Sequence, residues 1–309
     1  MNKTVSIALA TYNGARFLRE QLDSIYAQTY KVFEVVATDD GSTDGTLQIL
    51  EEYQRSHGLR FSVNEARLGF VKNFEKAISL CDGDFIALSD QDDIWHPSKL
   101  EKLSRAIGDY PLACSDVRII DGEGKTVADS YRKKLHIPVP PIGEQFYSLA
   151  FINFVTGSTC LFPRGFREKI LPIPPEAISH DWWMGIQATL AGGIRYVAEQ
   201  LVGHRQHGAN AIGVKELWKL SGKWRYLRSE ERKRVFEKER TRIQYYLDHL
   251  VFSDEEQRQF LGDLRLHCED ILSTRIHINA FRVAFKHRDR LFPGLSSLAK
   301  WAYMLGRLV

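Results

Sequence analysis

The first hundred residues alternate between two hydrophobic periodicities, and this alternation constrains the fold more than any other feature. Continuous apolar or β-branched runs predict strands at 4–10, 33–40, 60–63 and 84–88. Apolar residues at helical spacing separate these runs, as in the helix predicted at 70–81. Strands that alternate with helices form βαβ crossovers and hence a mostly parallel sheet flanked by helices. The sequence therefore predicts an α/β fold.

The pattern changes in the later part of the chain. Residues 112–120 and 155–163 are predicted to be further strands. Residues 215–309 are rich in Glu, Lys and Arg, and their apolar residues recur at roughly helical spacing. We therefore predict an α/β domain over 1–213 and a helical C-terminal region over 214–309.

Charge, cysteine usage and hydropathy exclude several classes of protein. The net charge of +3 is too small to indicate a nucleic-acid partner. The four cysteines form no CxxC pair, which fits reduced thiols in a cytoplasmic protein better than disulfides or a zinc site. No run approaches the roughly 20 apolar residues of a membrane-spanning helix. We expect a cytoplasmic protein, either soluble or peripheral on the inner face of the membrane.

Polar clusters follow three of the predicted strands: TYNG after the first, TDDGSTD after the second and SDQDD after the fourth. In parallel sheets, ligands bind at the carboxyl ends of the strands. Polar loops also occur at strand ends in α/β proteins that bind nothing there. The coincidence of three clusters nevertheless predicts a ligand site at this edge.

The cluster after the fourth strand places Asp90, Asp92 and Asp93 within four positions. Such carboxylates repel each other unless a cation lies among them, and Mg²⁺ or Mn²⁺ prefers oxygen ligands of this kind. Alternating residues in an extended stretch point the same way, so Asp90 and Asp92 are predicted to face one site. The alternative is a solvated loop in which one aspartate caps the next helix.

The turn after the second strand contains Asp39 and Asp40. A carboxylate at this position can accept the imide N–H of uracil or thymine, and Gly41 allows the backbone to approach a ligand closely. Helix capping is the alternative role. Capping explains the residues at 42–44 well, but it explains the presence of Asp39 and Asp40 less well.

Two later motifs carry ionisable residues. In HDWW, Asp181 lies beside Trp182 and Trp183, whose rings can stack on a sugar, and this aspartate is suited to act as a general base. The alternative is a helix start whose tryptophans pack in the core. In GHRQHGAN, a histidine could complete a metal site and Arg205 could pair with a diphosphate, although loop histidines usually have no such role.

Together these motifs resemble the family 2 nucleotide-sugar glycosyltransferases. The matching segments run in the family's order: ALATYNGARFLREQLDSIYAQTY, EVVATDDGSTDGT, NEARLGFVKNFEKAI, GDFIALSDQDDIWHPSKL, TGSTCLFPR, HDWW and YVAEQLVGHRQHGANAIG. The resemblance implies a GT-A fold, a divalent Mg²⁺ or Mn²⁺ cofactor, an inverting mechanism and a nucleotide-diphosphate sugar donor. SDQDDIW and RQHGANAIG are similar to the bacterial rhamnosyltransferases, which use dTDP-L-rhamnose in O-antigen and cell-wall polysaccharide synthesis.

The resemblance also assigns roles by position. It implies nucleotide binding by Thr11, Tyr12, Asp39, Asp40 and Asp90, to which Arg205 is added by its charge alone. It implies a metal site formed by Asp90, Asp92 and His207. Asp181 stands where the family has its catalytic base, although His180 precedes it where the family often has glutamate. Trp182 and Trp183 are expected to bind the acceptor, a saccharide or lipid-linked saccharide.

Several alternatives remain open at the level of sequence. The donor could be a UDP-hexose, or the chain could be a non-catalytic nucleotide-sugar-binding module. A dinucleotide-dependent oxidoreductase is disfavoured because no GxGxxG follows the first strand. The basic, apolar C-terminal segment from Asp289 onward is predicted to be a helix that either lies on an anionic membrane or packs on the protein or a second subunit.

Overall fold

The computed structural model describes residues 3–134, 137–207, 229–273, 282–283 and 286–291. These residues form two compact units, and the first contains 3–134, 155–174 and 178–207. The second contains the remaining described residues, including 137–154 and 175–177, which the sequence analysis placed in the first domain. The predicted boundary at 213/214 lies outside the described residues.

The first unit alternates strands and helices along the chain. Its strands are β1 (Val5–Thr11), β2 (Glu34–Asp39), β3 (Arg60–Val63), β4 (Phe85–Ser89), β5 (Ile94–Trp95), β6 (Leu112–Ile120), β7 (Thr126–Ala128), β8 (Leu161–Pro163) and β9 (Ile194–Arg205). Its α-helices are α1 (Leu18–Tyr26), α2 (Thr46–His57), α3 (Phe70–Ser79), α4 (Lys99–Ala106), α5 (Tyr131–Lys134), α7 (Arg167–Ile170) and α8 (His180–Leu190).

The strands form one sheet in the order β3-β2-β1-β4-β8-β6-β9-β5, with β7 added beside β6. The first four in this order are parallel, as the βαβ pattern predicts, and β6 and β9 are also parallel. β8 pairs antiparallel with both β4 and β6. The predicted α/β fold, with a mostly parallel sheet flanked by helices, is confirmed.

The hydrophobic core explains why the helices lie on the sheet. α1 buries Leu18, Leu22 and Ile25, one apolar stripe at helical spacing. These side chains share a cluster with Ile7 and Leu9 of β1, a strand in which every residue is buried. A strand buried on both faces reads as a continuous apolar run, which is the pattern of residues 4–10.

The segment 155–163 differs from the strand predicted there. A 3₁₀ turn at Gly157–Thr159 precedes the short strand β8. Hydrogen bonds within the segment close this turn, from Thr159 N to Thr156 O at 2.9 Å and from Cys160 N to Gly157 O at 2.9 Å. Local bonding of the backbone therefore replaces strand pairing over the first half of the segment.

The described part of the second unit is helical, as predicted for the C-terminal region. It contains α6 (Gln145–Leu149), α9 (Ser229–His249), α10 (Glu255–Ser273) and α11 (Arg288–Leu291). The rings of Tyr147 and Phe260 meet edge to face at 5.0 Å and tie α6 to α10. The helix predicted beyond residue 291 lies outside the described residues. None of the helices described combines the length and the hydropathy that crossing a membrane requires.

Candidate active site

The strand-end clusters predicted from sequence lie at one edge of the sheet. β1 lies between β2 and β4, with Thr11 opposite Asp39 and Leu9 opposite Ser89. The loops that carry Tyr12, the two acids after β2 and the acids after β4 therefore leave the sheet side by side. Side-chain contacts join these loops directly.

Asp39 is fully buried, and its carboxylate holds the β2–α2 turn together. Its Oδ2 accepts hydrogen bonds from the hydroxyls of Thr11 at 2.7 Å and Ser42 at 2.6 Å. Its Oδ1 accepts from the backbone N–H groups of Gly41 at 3.1 Å and Ser42 at 2.7 Å. A carboxylate has about four acceptor positions, and protein donors occupy all four. The structure thus gives Asp39 a role in shaping the turn.

Asp40 anchors the loop that precedes α3. Its Oδ1 accepts from Asn64 Nδ2 at 2.9 Å and Leu68 N at 2.7 Å, and its Oδ2 accepts from Gly69 N at 2.8 Å. One acceptor position on Oδ2 is left after these three bonds. Among the donors that the structure describes, Asp39 has its acceptor positions filled and Asp40 retains one, while both side chains are buried.

Gln91, between the first two acids of the β4 cluster, fixes the loop after β1. Its side-chain amide forms two bonds with the backbone of Tyr12: Oε1 accepts from Tyr12 N at 2.8 Å, and Nε2 donates to Tyr12 O at 3.0 Å. A Cβ at Gly14 would lie 2.2 Å from the same Oε1, so a side chain at position 14 would displace the Gln91 amide. The predicted nucleotide loop is thus attached to the predicted metal loop.

The acids after β4 are crowded, as the sequence indicates. Burial raises the pKa of Asp90 well above its ordinary value, and the charges of Asp93 and Asp92 raise it further. Burial and Asp93 likewise raise the pKa of Asp92. Negative charge is therefore concentrated here, and carboxylate oxygens of this kind fit a hard divalent cation. The predicted Mg²⁺ or Mn²⁺ is compatible with these residues.

Two histidines from the end of β9 and the loop after it complete the cluster. Ligand atoms of Asp90, Asp93 and His204 lie within 4.8 Å of one another, an arrangement able to hold a metal ion. His204 Nδ1 is 3.0 Å from Asp93 Oδ1, and His207 Nε2 is 2.9 Å from Asp92 Oδ2. Burial alone would lower the pKa of His204, but Asp93 and the neighbouring acids raise it to about 9.

The two carboxylate–histidine pairs differ in exposure. The Asp93 side chain is fully buried, and its Oδ1 also accepts the Arg205 backbone N–H at 3.1 Å. The side chains of Asp92 and His207 are 13% and 16% exposed. The predicted metal ligands Asp92 and His207 therefore lie nearer to solvent, whereas Asp93 has an internal role.

The assignment of Arg205 to a diphosphate is contradicted by its environment. The side chain is 1% exposed, and its guanidinium donates to three backbone carbonyls and to Glu20 Oε2 at 2.6 Å. One of these carbonyls belongs to Asp92, at 2.8 Å from Nε. The ring of Phe17 covers the guanidinium at 4.6 Å. Arg205 thus fixes the backbone of the acidic loop from inside the protein.

Asp181 is the second residue of α8, and donors from Trp182, Ser179 and Gly157 orient its carboxylate. Its Oδ1 accepts from Trp182 N at 2.7 Å and from the Ser179 hydroxyl, and its Oδ2 accepts from Gly157 N at 3.1 Å. The charge of Asp181 also contributes, more weakly than burial and the neighbouring acids, to the raised pKa of Asp90. The predicted base and the predicted metal loop therefore lie within electrostatic reach of each other.

The two tryptophans of HDWW have different environments. Trp182 is half-buried, whereas Trp183 is 5% exposed and its Nε1 donates to Ile170 O at 2.9 Å. Trp183 packs in the interior, and the structure contradicts its predicted contact with an acceptor. Adjacent residues of a helix point about 100° apart, so one side chain can face the core while its neighbour lies nearer to solvent.

Some residues that shape this region were not assigned roles by sequence reasoning. Gln91 and Gly157 lie inside recognised motifs, but only the three-dimensional contacts show that Gln91 binds the backbone of Tyr12 and that Gly157 donates to Asp181. Asp93 lies in the acidic cluster after β4 and His204 lies in GHRQHGAN, but neither motif indicates that the two side chains pair with each other. Their pairing joins β5 to β9, whose register places Ile94 opposite Gly203.

Comparison with known proteins is consistent with this geometry. The profile of the family described as Glycosyl transferase family 2 matches residues 6–171. An uncharacterized glycosyltransferase of Nostoc sp. is 29% identical over 219 residues, which are 67% of this chain and 66% of that protein. Chondroitin synthase of Escherichia coli is 34% identical over 220 residues, 69% of this chain and 30% of the synthase. The chain thus spans less than two thirds of the length of these relatives.

Solved structures show the same fold. S. aureus TarS 1–349 in complex with UDP-GlcNAc has a TM-score of 0.57 at 16% identity, over 93% of this chain and 81% of that one. Mannosyltransferase PcManGT of Pyrobaculum calidifontis, in complex with GDP-Man and Mn²⁺, has a TM-score of 0.56 at 18% identity, over 99% and 79% of the two chains. The profile covers more than half of the chain, and the sheet is that of the GT-A glycosyltransferases. The chain belongs to glycosyl transferase family 2.

Proposed function

We propose that this chain is an inverting, metal-dependent glycosyltransferase that moves L-rhamnose from dTDP-L-rhamnose to a saccharide or lipid-linked saccharide during synthesis of a bacterial surface polysaccharide. The observation that carries the proposal is that Asp181 of α8 lies within electrostatic reach of Asp90, in the acidic loop after β4, in a chain that belongs to family 2. The choice of rhamnose rests on the SDQDDIW and RQHGANAIG motifs.

The loops after β1 and β2 would bind the nucleotide. Thr11 and Asp39 hold the turn in shape, Tyr12 is fixed by Gln91, and Asp40 keeps one acceptor position for the imide of the base. Thymine and uracil present the same imide edge, so a hydrogen bond to Asp40 would not distinguish the two. A UDP-hexose is for this reason the second candidate donor.

Asp90, Asp92 and His207 would hold the divalent ion. When bound, Mg²⁺ or Mn²⁺ supplies positive charge that makes the diphosphate a better leaving group. The partial exposure of Asp92 and His207 supports this assignment over one through the buried Asp93. Asp93 instead holds His204 and the backbone of Arg205, which keeps the loop of ligands in place.

Asp181 would act as the general base. It takes the proton of the acceptor hydroxyl while that oxygen forms a bond to the anomeric carbon, and the bond from this carbon to the diphosphate oxygen breaks. A single in-line displacement inverts the anomeric configuration and needs only one carboxylate. The donors to Asp181 fix its direction before the acceptor arrives.

The experiment is a transfer assay with the full chain, Mn²⁺ or Mg²⁺, dTDP-L-rhamnose or UDP-hexoses, and a lipid-linked or synthetic saccharide acceptor. We expect Asp181→Asn to lower kcat by about 10²–10⁴-fold, the usual contribution of a general base. Nucleotide affinity, measured by calorimetry, should change little. Asp109→Asn, at an exposed position, is the matched control.

Each alternative has its own outcome in this assay. Transfer from a UDP-hexose and not from dTDP-L-rhamnose would replace the donor and leave the chemistry intact. Nucleotide-sugar binding without turnover under any condition would identify a non-catalytic binding module. Near-normal transfer by Asp181→Asn would remove Asp181 from the role of base.

A further inference from the structure

Lys99, the first residue of α4, is fully buried beside the candidate active site. Its Nζ donates to the Ser158 carbonyl at 2.6 Å and lies 3.1 Å from the ring centroid of Trp95. Within the described residues, no carboxylate forms an ion pair with it, although the charges of Asp93 and Asp90 act on the amine and partly oppose the effect of burial on its pKa. Burial lowers the pKa of Lys99 well below its ordinary value. A lysine is almost never buried in this way without a paired carboxylate, so packing alone does not account for it.

The Ser158 carbonyl, which accepts the hydrogen bond from Lys99, belongs to the turn at Gly157–Thr159. The same turn provides the Gly157 N–H that donates to Asp181 Oδ2 at 3.1 Å. Cys160 N donates to Gly157 O and Thr159 N donates to Thr156 O, so backbone hydrogen bonds close the turn around Ser158. The Ser158 carbonyl and the Gly157 amide therefore belong to one hydrogen-bonded turn.

The opposite side of the turn is fixed by packing. A Cβ at Gly157 would lie 2.6 Å from His180 Nε2, so the imidazole lies directly against this glycine. The imidazole is in turn stacked on Phe74 at 4.1 Å between ring centroids. The turn is thus held by a hydrogen bond from α4 on one side and by a stacked ring from α8 on the other.

We propose that Lys99 is a positioning residue, which holds the Ser158 carbonyl and through the turn directs the Gly157 amide at Asp181. The inference rests on the proposed role of Asp181 as the base. Either protonation state of the amine can donate the hydrogen bond, so the arrangement does not depend on the charge of Lys99. Substitution of Lys99 should affect the chemical step and leave nucleotide binding unchanged.

The first test measures the turn itself. Lys99→Met keeps the length and apolar stem of the side chain and removes the donor. Hydrogen–deuterium exchange of residues 155–163 in the full chain should become about tenfold faster, as expected when one buried hydrogen bond is lost. The control is Lys102→Met on the same helix, which removes an exposed ion pair with Glu199 of β9 and should leave this segment unchanged.

The second test measures the coupling to the base. Lys99→Met should lower kcat about tenfold or more with unchanged nucleotide affinity. In an Asp181→Asn background it should add little further loss, because the group that it positions has been removed. Lys99→Gln, which retains a shorter donor, should be intermediate. If Lys99→Met does not fold, Lys99→Gln takes its place in both measurements.

The outcomes separate this inference from the proposed function. Unchanged exchange at 155–163, or equal losses of kcat in the wild-type and Asp181→Asn backgrounds, would overturn the positioning role while leaving the transferase intact. If the wild-type chain transfers no sugar, the proposed function fails. The exchange measurement then decides alone whether Lys99 holds the turn.

Discussion

At the scale of single residues, the structure separates acids that can meet a ligand from acids that shape the loops. Asp39 is surrounded by donors from its own turn and from Thr11 of β1, while Asp40 retains one acceptor position. The sequence presents the two as equivalent neighbours. What distinguishes them is the number of internal donors that reach each carboxylate, and those donors come from separate loops.

The first prediction concerns Asp39. Asp39→Asn replaces one carboxylate oxygen with an NH₂ group that faces the hydroxyls or amides now donating to it. Leaving buried donors unpaired costs about 1–3 kcal/mol, so the free energy of unfolding should fall by about that amount in urea denaturation. Asp109→Asn should stay within about 0.5 kcal/mol of the wild type. Equal stability of the two variants would show that Asp39 does not hold the turn.

Arg205 shows where residue-level reasoning from sequence stops. Its positive charge makes it a reasonable partner for a diphosphate, but the residue type does not indicate which groups surround it in the fold. In the folded protein, the guanidinium already donates hydrogen bonds to Glu20 and to the carbonyls of Asp92, Asp121 and Gly122. These acceptors are up to 185 positions away along the chain, so their approach depends on the assembled sheet.

At the scale of elements, the turn at Gly157–Thr159 is the feature that sequence periodicity describes least well. Its residues alternate much as a strand does, yet the backbone closes on itself and presents an amide to Asp181. Glycine is required at 157 because the His180 ring occupies the space of a side chain. A glycine inside an apparent strand was the available signal for such a close approach.

The second prediction concerns this glycine. In Gly157→Ala the new methyl group would lie 2.6 Å from His180 Nε2, so either the ring or the turn must shift. We expect kcat to fall at least tenfold and the unfolding midpoint to decrease, since overpacking costs about 1–3 kcal/mol. Gly165→Ala is the control, because no atom lies within 4 Å of its added Cβ. Similar behaviour of both variants would contradict the close packing at 157.

At the scale of the whole chain, the parallel half of the sheet could be predicted and the remainder could not. Strands β1 to β4 follow one another with helices between them, so local periodicity and the βαβ rule suffice. The antiparallel insertion of β8 depends on a pairing of Phe85 with Pro163, which no local pattern records. Residues 137–154 belong to the second unit for a similar reason, since α6 packs on the distant α10.

Charge is also distributed unevenly over the whole chain. Lys and Arg exceed Asp and Glu by five between 215 and 240 and by four between 286 and 309, so the rest of the chain is net acidic. Basic residues concentrated in this way attract an anionic lipid surface. We therefore propose that the C-terminal part of the chain brings the enzyme to lipid-linked acceptors at an anionic membrane.

The third prediction tests this attraction in the full chain. The protein should float with vesicles containing anionic phospholipid, less with neutral vesicles, and less at about 0.5 M salt, where charges are screened within a few ångströms. Each basic residue near such a surface contributes about 1 kcal/mol, so reversing Lys215, Lys219 and Lys223 to Glu should lower binding by more than tenfold. Reversal of three exposed lysines of the first unit, Lys31, Lys133 and Lys169, changes the net charge equally. If both triple variants lose binding alike, net charge and not the C-terminal region drives the association. Equal flotation of the wild-type chain with anionic and with neutral vesicles would exclude an electrostatic origin.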